Sequence, residues 1–424
     1  MCVGFFAQPD VVVIHVAGTN GKGSVALKVA NTLQQYGLRV GLFCSPHVSS
    51  FRERMQINGE LIGEEEVVKL LPPIYELCKE HDIPATFFEI TTALAFSFYA
   101  HKKAQVVVLE TGLGGRLDAT NVVTSPAMSI ITSIGLEHTR ILGDTIEKIA
   151  LEKGGIIKPN CPVLVGPHCP QDILRQCAKE KGSGQYYVPS DILGGAEVET
   201  EDYDEENQQI SKAALTLLKS SHPNLFDPSS PLTDGAMDQG VLVRPPCRFE
   251  QIMDSTSSTN LKIVLDVAHN PPAMEYLVNK LQHTYPTSKF RFVVGMSSDK
   301  DLGQCGRSIM RVAKPDSIHL VEAAHPRAAK LEAIRDADPK LLGCYCDLDD
   351  RSITKQIANA KSLATQNDEV LVVCGSVFLM AEAREALGFD EPRDSSYVAE
   401  VAGSGLRHGQ EVFGNTTTST TTKS

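Results

Sequence analysis

Long apolar stretches are missing from this sequence of 424 residues. The longest apolar runs, at residues 11–16 and 105–109, are far shorter than the roughly 18 residues that a transmembrane helix requires. This absence argues against a membrane-spanning protein and indicates buried strands instead. The apolar content of 42% is enough for two or three compact domains.

A cysteine framework and a targeting signal are absent as well. The eleven cysteines show no CxxC pair and no regular spacing, which favours a reducing compartment over disulfides or zinc. Residues 1–10 contain neither a charged segment before a long apolar core nor an arginine-rich presequence. We therefore expect a cytoplasmic protein.

Positive charge is in short supply, because 40 lysines and arginines face 52 aspartates and glutamates, giving a net charge of -12. Binding to a phosphate backbone depends on clustered cations, so we expect no nucleic-acid partner, and equally no membrane partner. An anionic substrate must therefore be bound by a local group of residues.

Short apolar runs alternate with segments of helical period, which is typical of βαβ units. The pattern predicts an α/β protein whose first domain is a doubly wound, mostly parallel sheet. Its predicted strands and intervening helices lie at residues 11–16, 25–36, 39–43, 91–101, 105–109 and 128–134. Further strands are predicted at residues 262–267, 289–295, 317–321 and 369–374.

A polar stretch at residues 182–244, with one short helical segment at residues 210–219, separates the two groups of strands. We accordingly predict a first domain over residues 1–240 and a smaller, Rossmann-like α/β domain over residues 241–390. The remaining residues, 391–424, are too polar to bury a core and are predicted to be a disordered tail.

The segment AGTNGKGS, residues 17–24, joins the first strand to the first helix and has the features of a phosphate-binding loop. Its glycines would let the backbone wrap around phosphates at the N terminus of the helix. Lys22 would neutralise the β- and γ-phosphates, and Ser24 would reach Mg²⁺. The fit to GxxxxGK[ST] is not strict, since Val16 occupies the first glycine position and Gly23 follows Lys22. The strand and helix around the segment nevertheless favour nucleotide binding over a purely structural turn.

Polar side chains follow the next two strands. Glu110 ends one strand, and Glu137 and His138 follow the other. Because parallel strands present their carboxyl ends at one edge of a sheet, this arrangement suits a divalent metal near a γ-phosphate. A lone histidine is more often a surface residue, but the spacing from Glu110 favours a ligand role for His138.

The loop after the second strand carries a cluster that suits a carboxylate-bearing substrate or a transferred phosphoryl group, the alternative being a solvated charged loop. The cluster consists of Ser45, His47, Arg52 and Arg54. Three strand ends of the second domain are also polar, and we expect them to face the first domain's site, with helix capping as the alternative. They carry Asp266, His269, Asn270, Asp299, Lys300, Asp301, Gly375 and Ser376.

Several long motifs occur in an order that identifies a family. They are HVAGTNGKGS at 15–24, SPHVSSFRERMQING at 45–59, TFFEITTALAF at 86–96, ETGLGGRLDATN at 110–121, EKGGIIKP at 152–159, CRFE at 247–250, DVAHNP at 266–271 and DKD at 299–301. From about residue 8 to about residue 388, the chain resembles the folylpolyglutamate synthase and dihydrofolate synthase family of the Mur ligase superfamily.

The resemblance implies an ATP-dependent ligase that joins L-glutamate to the carboxylate of dihydropteroate or a reduced folate through an acyl phosphate. It implies a monomer with ATP and two Mg²⁺ ions, and a monovalent cation such as K⁺ as a further candidate. The GGRLDATN form favours dihydrofolate synthase activity and leaves polyglutamylation open.

The resemblance also implies roles for individual residues. ATP would contact Gly18, Thr19, Asn20, Gly21, Lys22, Gly23, Ser24, Arg248, Asp266 and His269. The metal ligands would be Ser24, Ser45, Glu110, His138 and a carbamylated Lys153, since an ammonium has no lone pair for a metal. Catalysis would rest on Lys22, Glu110, His138 and Lys153. The pterin-bearing substrate would contact Thr86, Phe88, Arg116, Asp118 and Ala119.

Three alternatives stay open at this point. A synthase that only lengthens glutamate tails has the same motifs. An inactive nucleotide-binding regulator is opposed by the presence of every expected catalytic residue. A Mur-type ligase of cell-wall or storage-polymer precursors is opposed by the TFFE and GGRLDATN motifs. In addition, Lys212 stands where relatives have an asparagine that contacts the base, which makes adenine recognition an open question.

Overall fold

The computed structural model describes residues 11–195, 202–226, 234–254, 260–325 and 327–394. Most of the predicted tail, residues 395–424, lies outside these ranges. Residues 391–394 are described, and their contacts with the first domain are given below.

The first domain is built on an eight-stranded sheet of order β4-β3-β2-β5-β1-β6-β7-β8. Its strands are β1 (Val12–Ala17), β2 (Val40–Phe43), β3 (Met55–Ile57), β4 (Glu60–Leu61), β5 (Val106–Glu110), β6 (Met128–Ile131), β7 (Val163–Val165) and β8 (Tyr186–Tyr187). Neighbouring strands pair in parallel from β2 to β8 in this spatial order. Strands β3 and β4 form an antiparallel edge beyond β2. The mostly parallel sheet was predicted, whereas the antiparallel edge was not.

Helices cover both faces of this sheet. They are α1 (Lys22–Gln35), α2 (Glu64–Glu80), α3 (Phe87–His101), α4 (Thr139–Leu142), α5 (Ile146–Lys153), α6 (Gln171–Glu180), α7 (Pro189–Leu193), α8 (Tyr203–Ser221) and α9 (Asp234–Gly240). Successive β1 residues point to opposite faces. Ile14 packs in one core with α1 and α8, and Val13 packs in another with α3.

The second domain contains a five-stranded sheet of order β12-β11-β13-β10-β9. Its strands are β9 (Glu250–Asp254), β10 (Leu261–Asp266), β11 (Lys289–Val294), β12 (Ile318–Leu320) and β13 (Glu369–Cys374). Its helices are α10 (Pro271–Thr284), α11 (Leu302–Ile309), α12 (Leu331–Arg335), α13 (Ile353–Asn367) and α14 (Val377–Ala386). Only the β9–β10 pair is antiparallel among the described pairs. Val264 and Leu265 point to the two opposite cores of this sheet.

Helix α8 is the main difference from the predicted elements, because it spans 19 residues where a short segment was expected. Its first turn carries three acidic residues, which favour the positive N terminus of a helix but give the sequence a polar, loop-like appearance. Its other face is apolar and packs against α1. None of the described helices is long and apolar enough to cross a membrane.

The cysteines in the described ranges are all free thiols. Eight of these are buried, and Cys44 and Cys346 are partly exposed. Burial raises the pKa of the Cys344 thiol to about 11 and that of the Cys305 thiol to about 12.

Candidate active site

The loop between β1 and α1 has the shape that its glycines predict. Gly21 caps α1 with a φ of 85°, a left-handed conformation that glycine adopts without strain. A Cβ atom at this position would lie 2.4 Å from Oδ1 of Asn207 on α8. The N terminus of α1 is therefore built against a second helix, and its amide groups remain available for an anion.

The segment after β6 holds the phosphate loop in place. The Thr19 N–H donates to the Ser133 carbonyl at 2.7 Å, and the Thr132 hydroxyl donates to the Asn20 carbonyl at 2.6 Å. The Gly135 N–H donates to Oγ1 of Thr19 at 2.9 Å. These bonds fix the backbone of the loop before any ligand is bound.

Two lysines converge on one carbonyl of this loop. Nζ of Lys22 lies 3.0 Å from the Gly18 carbonyl oxygen, and Nζ of Lys153, at the end of α5, lies 2.6 Å from the same atom. Burial, together with the nearby charge of Lys22, lowers the pKa of Lys153 to about 7. A substantial fraction of Lys153 is therefore an uncharged amine near neutral pH. This is the form that can react with carbon dioxide to give a carbamate.

Glu110 ends β5 and is only 4% exposed. Its Oε2 accepts the Ser45 N–H at 2.9 Å and lies 3.1 Å from the position of a Cβ built on Gly23. Burial raises the pKa of Glu110, and the charges of Lys22 and Arg248 oppose that shift. The carboxylate thus lies against the first turn of α1, next to the phosphate loop.

The Glu110 carboxylate suits a hard cation, because it is buried and its oxygens are a preferred ligand of such ions. Among the described residues, its hydrogen-bond donor is the Ser45 amide. His138 lies beside Glu137, with Nε2 at 3.9 Å from Oε1 of Glu137. In the described ranges, no three His, Cys, Asp or Glu side chains form a group that could hold a metal ion. The predicted set relies on two serines and Lys153 besides Glu110 and His138, so its role as a metal site stays a prediction.

Glu137 is the acidic residue on which the second domain converges. Its Oε1 accepts hydrogen bonds from Nε2 of His269 at 3.2 Å and Nζ of Lys300 at 3.3 Å. The neighbouring cations lower the pKa of Glu137 in spite of its burial. The expectation that polar strand ends of the second domain face the first domain's site is thus met by His269 and Lys300.

Other polar residues at these strand ends serve the local structure. Asn270, Asp301 and Ser376 cap α10, α11 and α14, which is the alternative weighed for them above. The Asp266 carboxylate accepts the Phe249 and Ala268 amides at 2.6 and 2.7 Å. Asp266 therefore shapes the turn after β10, and its contact with a nucleotide stays a prediction.

The residues predicted to bind the pterin-bearing substrate lie in two adjoining segments. Phe88 packs on Gly112, where a Cβ would come within 2.4 Å of its ring. Thr86 forms the capping box of α3 with Glu89. Ala119 begins a short 3-10 helix. Nε and Nη2 of Arg116 bind Oε1 of Glu152 at 3.0 and 2.9 Å, and more than half of the Arg116 side chain is exposed.

Asp118 is turned into its own loop. Its Oδ2 accepts the Gly112 and Leu113 amides, each at 2.8 Å, and its Oδ1 accepts the amide and hydroxyl of Thr120. With these four donors the carboxylate is largely committed to holding the loop. Its geometry supports a role in shaping the site more than a direct contact with substrate.

The cation cluster predicted after β2 is only partly assembled. Arg54 is buried, donates from Nε to Nδ1 of His47 at 2.8 Å, and lies near Glu110. Arg52 points away, because its Nε donates to the Ile62 carbonyl and its Nη1 pairs with the exposed Glu64. Arg54 therefore belongs to the site, and Arg52 does not.

Sequence reasoning missed two residues, one that the structure places against the phosphate loop and one within the helix α1 that follows it. Asn207 contacts Gly21, whereas Lys212 forms an ion pair with Asp238 of α9. Lys28 is fully buried and reaches the segment between the domains. An asparagine in a polar stretch and a lysine within a helix carry no sign of these contacts in the sequence.

Comparison with known proteins agrees with this geometry. A family model described as Mur ligase, glutamate ligase domain, matches residues 247–377. A dihydrofolate synthase/folylpolyglutamate synthase from Bacillus subtilis is 30% identical over 399 residues, covering 88% of this chain and 90% of the relative. One from Haemophilus influenzae is 32% identical over 404 residues, covering 88% and 89%. The chain belongs to the dihydrofolate synthase/folylpolyglutamate synthase family.

Solved structures of the dihydrofolate synthase/folylpolyglutamate synthase family share the fold. Escherichia coli FolC in complex with DHPP and ADP aligns with a TM-score of 0.74 and 27% identity, over 91% of each chain. A bifunctional family member with Mn, AMPPNP and L-glutamate bound aligns with a TM-score of 0.72 and 32% identity, over 89% of this chain and 90% of that one. The resemblance and the two-domain α/β architecture expected from the sequence are thereby confirmed.

Proposed function

We propose that this protein is an ATP-dependent ligase that adds L-glutamate to a pterin-bearing carboxylate. The reactions are the conversion of dihydropteroate to dihydrofolate and the extension of reduced folates by further glutamates. The observation that carries the proposal is the convergence of Lys22 and Lys153 on the Gly18 carbonyl, with the Glu110 carboxylate against the same loop. Relatives whose names state both activities support it.

The chemistry transfers the γ-phosphoryl group of ATP to the substrate carboxylate. The amine of glutamate then attacks the acyl carbon and releases phosphate, forming the amide bond. The N terminus of α1 and Lys22 bind the phosphates and stabilise the charge that develops on the transferred group. Lys300 and His269 of the second domain reach the same region, where both donate hydrogen bonds to Glu137.

The metal-binding part of the proposal concerns Ser24, Ser45, Glu110, His138 and Lys153 as a carbamate. When bound, Mg²⁺ supplies positive charge that polarises the phosphoryl oxygens. A relative solved in complex with AMPPNP and Mn ion supports the binding of a divalent cation together with a nucleotide. Two Mg²⁺ ions, a monovalent cation such as K⁺, a monomeric state and a cytoplasmic location complete the proposal.

The test is phosphate release from ATP in the presence of Mg²⁺ and glutamate, with dihydropteroate and tetrahydrofolate compared as acceptors and the products weighed by mass spectrometry. We expect one added glutamate on dihydropteroate and further additions on tetrahydrofolate. Tetrahydrofolate as the sole acceptor would overturn the dihydrofolate synthase activity. If no phosphate is released with either acceptor, the ligase function is overturned and an inactive regulator is favoured.

Two substitutions link the activity to the site. Glu110→Ala should remove turnover and leave the fold intact, because the carboxylate lies beside the phosphate loop at the end of a buried strand. Glu76→Ala, at an exposed position on α2, is the matched control and should retain normal turnover. A near-normal rate in Glu110→Ala would contradict the assignment of the site.

A further inference from the structure

The second domain returns to the first through residues 391–394, which follow α14; we call this segment the strap. Glu391 anchors it, because its carboxylate accepts two hydrogen bonds from the buried Arg384 of α14, at 2.6 and 2.8 Å. The strap ends at Asp394, whose N–H donates to the Ser49 carbonyl of the first domain at 2.9 Å. The strap therefore spans the two domains next to the active-site loop.

The Asp394 carboxylate organises that loop. It accepts the Phe51 N–H at 2.9 Å and the Ser50 hydroxyl at 3.1 Å, at the start of the 3-10 helix Phe51–Arg54. Its Oδ2 also lies 3.2 Å from Nε2 of His47. Only 7% of its side chain is exposed, so these contacts are shielded from water.

The direction of the hydrogen bonds through His47 can be deduced from its contact with Arg54. An arginine side chain only donates, so Nδ1 of His47 accepts from Nε of Arg54 at 2.8 Å. The other ring nitrogen then carries the hydrogen and donates to Asp394. The three side chains form a relay in which the strap carboxylate selects the tautomer of His47, and that tautomer orients the guanidinium.

Arg54 has donors to spare. Among the described residues, His47 accepts from Nε, and neither Nη group has an acceptor. The guanidinium is buried, lies 5.6 Å above the Phe87 ring, and is close enough to Glu110 to influence its charge. Two Nη donors held in a fixed plane match the two oxygens of a carboxylate.

We propose that Asp394 is a positioning residue that acts through His47 to hold Arg54 ready for the carboxylate of a substrate. The inference rests on the proposed ligase function, which uses two carboxylate substrates, the pterin-bearing acceptor and glutamate. Because Asp394 belongs to the second domain and Arg54 to the first, the relay is complete only when the domains are docked.

The test is Asp394→Asn in the full-length protein. Asparagine keeps an oxygen for the Phe51 amide, but its NH₂ group then faces the N–H of His47, where two donors meet. We expect the KM for one carboxylate substrate to rise about tenfold or more, with the KM for ATP within about twofold of the wild type. Separate titrations of the acceptor and of glutamate identify which carboxylate Arg54 binds.

The matched control is Asp390→Asn, which makes the same chemical change at an exposed position before the strap. It should leave each KM unchanged. A loss of thermal stability in Asp394→Asn, without any change in the KM of either carboxylate substrate, would show that Asp394 only anchors the strap. That result would overturn the proposal.

A second readout does not depend on turnover. The ¹⁵N NMR spectrum of His47 should show a hydrogen on Nε2 in the wild type and a change of tautomer in Asp394→Asn. An unchanged tautomer would overturn the relay. If the wild type released no phosphate with any acceptor, the ligase function would fail, and the His47 spectrum would still decide the relay.

Discussion

Nε2 of His269, in the second domain, lies 3.2 Å from Oε1 of Glu137 in the first. Nδ1 of the same ring lies 2.8 Å from the Val267 carbonyl oxygen, so both ring nitrogens face acceptors. Nζ of Lys300 lies 3.3 Å from the same carboxylate oxygen. A single buried acid thus holds two side chains of the opposing domain close to the phosphate loop.

Replacing Glu137 by glutamine should lower kcat by about tenfold or more, because a neutral amide no longer balances the charge of Lys300 and is a weaker acceptor for His269. The docked arrangement of the domains should weaken as well. Steady-state kinetics and small-angle X-ray scattering would measure both effects. Glu147→Gln, at an exposed position on α5, serves as the control. Wild-type kinetics in Glu137→Gln would show that this contact does not contribute to turnover.

A pair of glycine substitutions separates backbone strain from steric conflict. Gly21 and Gly37 both have positive φ, at 85° and 79°. Alanine at Gly37 would meet nothing within 4 Å and should cost only about 1 kcal/mol of conformational energy. Alanine at Gly21 would also collide with Asn207, so we expect loss of nucleotide binding. Calorimetric titration with ATP would measure this, and equal affinities in the two variants would refute the steric argument.

Lys28→Met should destabilise the protein by about 3 kcal/mol, the range found when one member of a buried charged pair is removed. Nζ of Lys28 donates to the Val241 and Val243 carbonyls at 2.7 and 2.8 Å and pairs with Asp204 at 3.0 Å. Urea unfolding would measure the change, with Lys69→Met on the exposed face of α2 as the control. Similar unfolding midpoints for the two variants would contradict the buried role of Lys28.

Stability should fall as the pH decreases below 6.5. Burial lowers the pKa of His15 to about 3 and that of His319 to about 4, while the unfolded chain titrates near 6.5. Between these values the unfolded state binds protons that the folded state does not. Each histidine then lowers the free energy of unfolding by about 1.4 kcal/mol for each pH unit of acidification, down to its pKa in the folded state. Melting temperatures at pH 7.5 and 5.5 would measure the effect, and His319→Asn should show a smaller acid-induced decrease than the wild type. An equal decrease would refute the contribution of His319.

The sequence predicted the parts of the molecule that depend on local pattern. Strands β1, β5 and β10 begin and end within one or two residues of the predicted limits, because buried parallel strands are continuous apolar runs bounded by turns. The phosphate loop and Glu110 were equally accessible, since a glycine-rich turn and an acidic strand end are visible in the chain itself.

What the sequence did not predict depends on contacts between distant segments. Asp394 was assigned to a polar tail, and its role emerges only from its position beside His47 and Arg54. Lys28 looked like an ordinary helix lysine until its acceptors, more than 200 residues away, were placed around it. Arg52 and Arg54 are two residues apart, yet both lie in the 3-10 helix Phe51–Arg54, whose turn between them directs their side chains to different partners.

The distribution of thiols makes the second domain a convenient place for a spectroscopic label. Of the described cysteines, eight are buried, and burial together with the carboxylates of Glu110 and Glu53 raises the pKa of the Cys44 thiol. Cys346 is partly exposed and lies in the second domain, after the short 3-10 helix Pro339–Gly343. A maleimide dye or nitroxide should therefore react first at Cys346 among these residues, and its distance to a second label in the first domain would report domain motion during turnover.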